Sequence, residues 1–427
     1  MSASTRLVVP STPQSSATTS TTASAAAMPR SVSVRAGFAG VTAEQALARA
    51  RDLVPLLRQH AREHDASRDL SPVVVQALHE SGLLRVHQPR YWGGMELDYP
   101  VIFDIAYLLG QGDASTAWVY VNLASHHRQL AQWPLQAQEE VLGVDAAQTA
   151  ASGIAFVQGV GRVVDGGLVL SGRWGFSSGV RLSGWNMLAC QVKRDDVVQD
   201  WCMCLVPAAD YEVIDDWHTI GLRGSASCTV RCQDVFVPRH RVLSMKAGGP
   251  PFPGLALHRN PLFAVPTSAL SGNGIAAVLI GNAQAALDAS IESIKSRSTS
   301  YSAAKMRDIP SVQQRIAHAA ARIDAARVWL RSDCVEGAER VRAVGSLDIA
   351  TRLRYRRNTA LAAGWVTEAT AALQQLAGAN GIYDEYPIQR MFRDASAAGA
   401  HVALNAEMQL APWGLTVLGG EVRVPTV

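Results

Sequence analysis

The stretch "QLAGANGIYDEYPIQRMFRDASAAGAHVALN" (Gln375–Asn405) decides how this chain is read. "GANG" at 378–381 reads as a helix-ending turn, where glycine supplies the backbone freedom such a turn needs. A second, alanine-rich helical segment follows and closes on a lone histidine, His401, with Val402 beside it.

Upstream of this pair the helical pattern persists back to Pro261. "VQQRIAHAAARIDAARVWLRSD" (312–333) places Ile316, Ala319, Ala320, Ile323 and Leu330 on one apolar stripe. Its small alanines let helices approach closely, as in a bundle. Between Ala150 and Leu255 the period changes to two. "GRVVDGGLVLSGRW" (161–174) gives two strands around an Asp165-Gly166-Gly167 turn, and "WNMLACQVK", "WCMCLVP" and "CTVRCQDVFVP" add further strands. From Val41 to about Val144 the spacing is helical, with Ala46, Ala50, Leu53, Leu56 and Leu57 on one face and Thr42, Glu44 and Gln45 marking the start. Residues 1–36 are Ser/Thr/Ala-rich without an acidic residue, the composition of a disordered extension; an organelle transit peptide has the same look. The expected organisation is therefore α+β: extension 1–36, N-terminal helical domain 37–148, central β domain 149–255, and C-terminal helical bundle 256–427.

Composition narrows the function. A formal charge of +3, with scattered basic residues, argues against a nucleic-acid groove. The longest apolar run, "GIAAVLIGNAQAAL", is interrupted by Asn282 and Gln284, so no membrane span is expected. The six cysteines (Cys190, Cys202, Cys204, Cys228, Cys232, Cys334) lack metal-ligand spacing and read as buried reduced thiols of a cytoplasmic protein. "LHESG" at 78–82 lacks the second histidine of a zinc-hydrolase motif, so no metal is expected. "GNGIAA" at 272–277 follows no strand and is discounted as a dinucleotide fingerprint.

The order of elements, with "WHTIGLRGSASCTVRCQDVFVP", "ALDASIESIKSR" and "QLAGANGIYDEYPIQRMFRDA", resembles the acyl-CoA dehydrogenase fold over about residues 41–415, ending in a four-helix bundle. A dehydrogenase of that fold needs a carboxylate base. One family position for it, nine residues after Arg393, holds Val402; the other falls in "NPLFAVPTSALSGNG" (260–274), which has no Asp or Glu. "SHHRQL" (125–130), "ASGIAF" (151–156) and "SGRWGFSSG" (171–179) instead resemble the oxygenase components of two-component flavin monooxygenases, similar to the 4-hydroxyphenylacetate hydroxylases. That resemblance implies reduced FMN or FAD from a separate NAD(P)H-flavin reductase, reaction with O2 through a C4a-hydroperoxyflavin, and hydroxylation of a phenolic substrate. It also implies a homotetramer or dimer.

The same resemblance places His126 or His127, Ser152, Ser177 or Ser178, and His401 at the reacting edge of the flavin. A hydroxyl from Ser177 or Ser178 suits restraint of the flavin N5 proton, although a turn serine can simply bond its own backbone. His401 suits a base or a stabiliser of the developing phenolate, against the plainer reading of a packed helix residue. Two adjacent helical histidines point about 100° apart, so only one can face the flavin; His126 is preferred, with His127 solvated or at a helix end. Arg297 resembles the arginine that holds flavin phosphates, though a surface ion pair would use it equally well. "GANG" would meet a neighbouring subunit's cofactor. Trp118 and Trp174 read as core. The family's Arg-x-x-Phe-Gly continuation is absent after Arg297 ("RSTSYSAAK"), which favours a flavin that comes and goes. The competing readings are an N-oxygenase of an amine or amino sugar, an acyl-CoA dehydrogenase relative with a displaced base, and a non-catalytic scaffold.

Overall fold

The computed structural model describes residues 37–154, 158–194, 197–246, 251–299 and 303–422. The extension over residues 1–36 lies outside the described residues.

Five helices come first: α1 (Ala43–Ser67), α2 (Pro72–Ser81), α3 (Pro100–Gly110), α4 (Ala114–Leu130) and α5 (Leu135–Leu142). Thr42 and Gln45 form the reciprocal capping box their spacing predicts, and the expected stripe buries Ala46, Ala50 and Leu57. A sheet of eight strands follows: β1 (Ala150–Gly153), β2 (Gly159–Val164), β3 (Gly167–Trp174), β4 (Trp185–Arg194), β5 (Val197–Pro207), β6 (Glu212–Ile214), β7 (Thr229–Pro238) and β8 (Val242–Ser244). Its order is β6-β7-β3-β2-β4-β5-β8, and β1 pairs with β4. Strands β1 and β2 run parallel to β4, with Ser152 opposite Met187, while the remaining pairings are antiparallel. The Asp165-Gly166 turn sits where the sequence places it, with Gly166 at φ +78. All six cysteines are buried free thiols.

The chain ends in helices α6 (Thr267–Ser296), α7 (Pro310–Val344), α8 (Ile349–Ala377), α9 (Pro387–Gly399) and α10 (Ala406–Val417). Helix α6 is the axis of the C-terminal part, packed by α3, α7, α8 and α9. Its approach to α3 depends on glycine: a Cβ on Gly281 would stand 2.2 Å from the Tyr107 carbonyl oxygen. The helix is long and apolar enough to cross a membrane, contrary to the reading of its interrupted run. However, 78% of its most apolar window is buried inside the protein, the pattern of a core helix. "GNGIAA" lies wholly within it. One expectation changes: His401 is not helical. Helix α9 stops at Gly399, and His401 instead starts the short 3-10 turn Val402–Leu404, its ring accepting the Ala403 amide at 3.1 Å.

Candidate functional site

Helix α4 carries the centre of the site. Asp113 caps it by accepting the Thr116 amide at 2.9 Å. Of its 17 residues only Asn122 and Ser125 escape burial, and they are neighbours one turn apart on the same face. His126, buried, follows Ser125 directly. Its Nδ1 lies 2.7 Å from the Ala150 carbonyl, an acceptor only, so Nδ1 carries the proton. Nε2 is then the acceptor, and the Ser152 hydroxyl at 3.1 Å donates to it. Burial, its largest influence, pushes His126 down to about 4, so the ring is neutral at pH 7 and the lone pairs of half-buried Ser152 remain available.

His127 turns the other way and is buried rather than solvated; among the described residues neither ring nitrogen has a hydrogen-bond partner. Burial drives it to about 3. It belongs to the packing between α4 and the residues before α3.

The two serines after β3 separate cleanly. Ser178 is caught in a polarised chain: Trp118 Nε1 donates to Ser178 at 3.0 Å, Ser178 and Ser227 lie 2.8 Å apart, Ser227 and Ser225 another 2.8 Å, and Ser225 donates to the Leu222 carbonyl at 2.7 Å. The indole can only donate and the carbonyl only accept, so every hydroxyl proton points toward Leu222 and the Ser178 proton is engaged. Ser177 accepts from Asn186 Nδ2 at 2.9 Å, and no acceptor among the described residues takes its own proton. Between them and β3, Phe176 holds a left-handed backbone (φ +63) with its ring 75% exposed, edge-on to Trp217 at 6.0 Å. Trp174 is core, donating to the Ala189 carbonyl.

His401 meets this side of α4 through Trp118, whose ring is edge-on at 5.6 Å. Because Nδ1 accepts the Ala403 amide, the neutral ring carries its proton on Nε2. Burial alone pushes it down to about 4; no charged group acts on it. Val402 is half exposed. The buried carboxylates are engaged elsewhere: Asp113 with His64 and Thr116, Asp333 with Asn358, Asp394 with the Leu222 amide. Among the described residues no Asp or Glu bonds to Trp118, His126, Ser152, Ser177, Ser178 or His401, and no three His, Cys, Asp or Glu side chains gather as a metal set.

Arg297 lies apart from these residues. It ends α6 and lines a cavity of about 270 Å³ with Ser293, Asn380 and Tyr386; its Nη2 is 3.8 Å from where a Cβ on Gly378 would stand. The structure thus brings Arg297 and the "GANG" turn together, His126 with Ser152, and Trp118 with Ser178 and His401. The sequence reading missed Asn122, Ser125, Asn186, Phe176 and Trp217. An exposed phenylalanine beside "SSG" was the one signal in the residues themselves.

Residues 273–406 match the family described as acyl-CoA dehydrogenase, C-terminal domain. Over 369 residues the chain is 34% identical to the oxygenase subunit HsaA, a flavin-dependent monooxygenase of Rhodococcus jostii strain RHA1, spanning 86% of this chain and 96% of that protein. The oxygenase component of the FADH(2)-dependent resorcinol hydroxylase of Rhizobium sp. strain MTP-10005 is 30% identical over 394 residues, 88% of this chain and 94% of its own length. The crystal structure of 3-HSA hydroxylase from Rhodococcus sp. RHA1 matches with a TM-score of 0.86 at 33% identity, covering 90% of this chain and 99% of that one.

Proposed function

Since the chain belongs to the oxygenase components of flavin-dependent monooxygenases, built on the acyl-CoA dehydrogenase fold, we propose that reduced flavin and a phenol are seated against α4, between His126–Ser152, Ser177 and His401. The chain is an enzyme that takes reduced flavin from a separate reductase and hydroxylates an aromatic small molecule.

The residues fit a flat heteroaromatic ring with polar edges. Phe176 offers an exposed apolar face held on strained backbone, and Ser177 has both a free proton and a remaining lone pair beside it. When bound, the reduced flavin activates dioxygen and supplies the oxygen atom that enters the substrate. Ser177, steadied by Asn186, is the group suited to restrain a proton at the flavin edge. Ser152 accepts the phenol O–H, and the Ser152 proton already points at His126 Nε2, so electron density moves toward the substrate ring. His401 Nε2–H donates to the same oxygen as it becomes phenolate-like. In the resting tautomer His401 is thus a neutral donor rather than a base, and the accepting role falls to Ser152 and His126.

Arg297 cannot reach this flavin within its own chain. Gly272 stands beside Ala403, and Arg297 lies roughly 25 residues further along α6, about 37 Å at 1.5 Å per residue. Arg297 and the Gly378 turn therefore serve a flavin seated on a second copy, which makes the working species an oligomer, a dimer or homotetramer.

The observation that carries the assignment is that, among the described residues, His126 and His401 are neutral and no carboxylate bonds to them, to Ser152 or to Ser177, so a proton alpha to a thioester has no acceptor there. The test is anaerobic titration of the protein with reduced FMN or FAD, followed by 18O2 and a phenol. We expect saturable flavin binding and one labelled oxygen in the product. Reduction of bound oxidised flavin by an acyl thioester, or failure to bind reduced flavin, refutes the assignment.

A further inference from the structure

Helix α10 buries one of its 12 residues, and that residue is Gln409. A glutamine at 3% exposure, in a helix whose Met408, Leu415 and Val417 are exposed, is not placed there for apolar packing. Both ends of its amide are engaged. Arg356 Nε, on α8, donates to Gln409 Oε1 at 2.7 Å, and Gln409 Nε2 donates to the Val402 carbonyl at 2.8 Å. A guanidinium only donates and a carbonyl only accepts, so the amide has a single possible orientation. Among the described residues no Asp or Glu acts on Arg356, and its Nη1 is buried without a partner. The charge of Arg356 therefore strengthens its bond to Gln409 instead of being taken up by an ion pair.

The turn that Gln409 holds is the one His401 begins. Val402–Leu404 is a single 3-10 turn, closed by the Leu404 amide on the His401 carbonyl at 2.8 Å, with a longer 3.4 Å bond from the Asn405 amide to the Val402 carbonyl. So short a turn has little stability of its own. The Val402 carbonyl and the Ala403 amide belong to one peptide, which is planar, so fixing the carbonyl fixes the direction of the N–H. That N–H is the one His401 Nδ1 accepts at 3.1 Å, and it is what keeps the ring proton on Nε2. We propose that Arg356 and Gln409 are positioning residues for the hydroxylation: through the peptide joining Val402 to Ala403 they set the tautomer and direction of His401. The inference rests on the donor role given to His401 above and adds the two groups behind it.

The test has two arms, both on the full chain. The first, without flavin, follows the His401 ring by 15N-histidine NMR, its signals identified by their loss in His401→Ala. The unaltered protein should show a protonated Nε2 and a bare Nδ1, and Gln409→Leu should average the two. The second arm measures hydroxylation of a phenol at saturating reduced FMN. Gln409→Leu should slow it about tenfold, the worth of one hydrogen bond, at unchanged reduced-FMN affinity. Arg356→Met should act in the same direction, and Arg356→Lys, which keeps a donor for Gln409, should recover most of the rate. In a His401→Ala background Gln409→Leu should cost nothing further. An equal loss in both backgrounds is a structural effect and overturns the proposal, as does a His401 tautomer that Gln409→Leu leaves fixed. Should Gln409→Leu fail to fold, Gln409→Glu keeps the partner of Arg356, loses only the donor to Val402, and is judged by the same outcomes. If His401→Ala does not slow hydroxylation, the reading of His401 falls; if it does and the Gln409 and Arg356 variants do not, only the positioning role falls.

Discussion

Acid should destabilise this protein between pH 7 and pH 5, above the usual carboxylate range. Burial pushes His87 and His127 down to about 3, and His126 and His401 to about 4. In the unfolded chain each titrates near 6.5, so between 6.5 and the folded value only the unfolded state takes up the proton, and stability falls as pH falls through that window. From pH 7 to pH 5 this costs about 1.9 kcal/mol per histidine and about 7.5 kcal/mol for the four. Two raised carboxyls act in the opposite sense. Asp394, pushed up to about 7, and Asp333, to about 6, take up protons in the folded state across the same interval, chiefly because they are buried. They return about 3–4 kcal/mol, leaving a loss of about 4 kcal/mol from these six groups. His127→Leu isolates one contribution, since among the described residues that ring has no hydrogen bond to lose. Urea unfolding at pH 7 and pH 5 should show the acid loss shrinking by about 1.9 kcal/mol in the variant, at an unchanged m value. An acid loss equal to that of the unaltered protein would show that His127 is protonated in the folded state, and the burial argument would fail for the whole set.

The two serines should part company. Ser177→Ala should raise the share of consumed oxygen released as peroxide, whereas Ser178→Ala, whose hydroxyl is engaged with Trp118 and Ser227, should cost about 1 kcal/mol of stability and leave that share nearly unchanged. His401→Ala should keep reduced-FMN affinity but slow hydroxylation on the order of 10²–10⁴-fold, and His401→Gln, which restores an N–H donor, should recover part of it; a loss confined to flavin binding would contradict the assigned role. Arg297→Ala should weaken reduced-flavin binding roughly 10- to 100-fold, the worth of a charge-assisted hydrogen bond, without altering the choice among phenols. Unchanged affinity would return Arg297 to the surface.

Much of the architecture is legible in residue spacing. The change of period at Ala150, the Asp165-Gly166 turn and the Thr42 capping box are local signals, and each is found where its local physics puts it. His401 shows where locality fails. An alanine-rich run gives no sign that α9 will stop at Gly399, and the stop is what frees His401 Nδ1 to take the Ala403 amide and fixes the proton on the other nitrogen. The choice between Ser177 and Ser178 is likewise invisible locally, because Asn186 lies in the next strand while Trp118 and Ser227 come from a helix and a loop 60 and 49 residues away in sequence. Asn122 and Ser125 are hidden for a different reason. In "ASTAWVYVNLASHHRQL" polar residues are scattered along the helix, and only the packing of the sheet and α6 against α4 leaves those two uncovered.

These placements bear on why the loss of the glutamate is tolerated. A carboxylate left in a buried groove without a cation would raise its own pKa and repel a phenolate, the species this chemistry must favour. With Val402 in that region, the groups that the proposed seating brings to the substrate are neutral at working pH: His126 and His401 through burial, Ser152 and Ser177 by nature. On the proposed seating, transition-state charge would be met by oriented N–H and O–H groups whose directions are already fixed by Ala150, Ala403 and Asn186, so little reorganisation would be needed when the phenol oxygen becomes negative. A consequence follows for engineering the reverse change. Val402→Glu alone should not confer dehydrogenase activity, because Val402 is half exposed at the edge of a turn rather than on a helix facing the ring, and the new carboxylate would depress hydroxylation by placing a negative charge near the nascent phenolate.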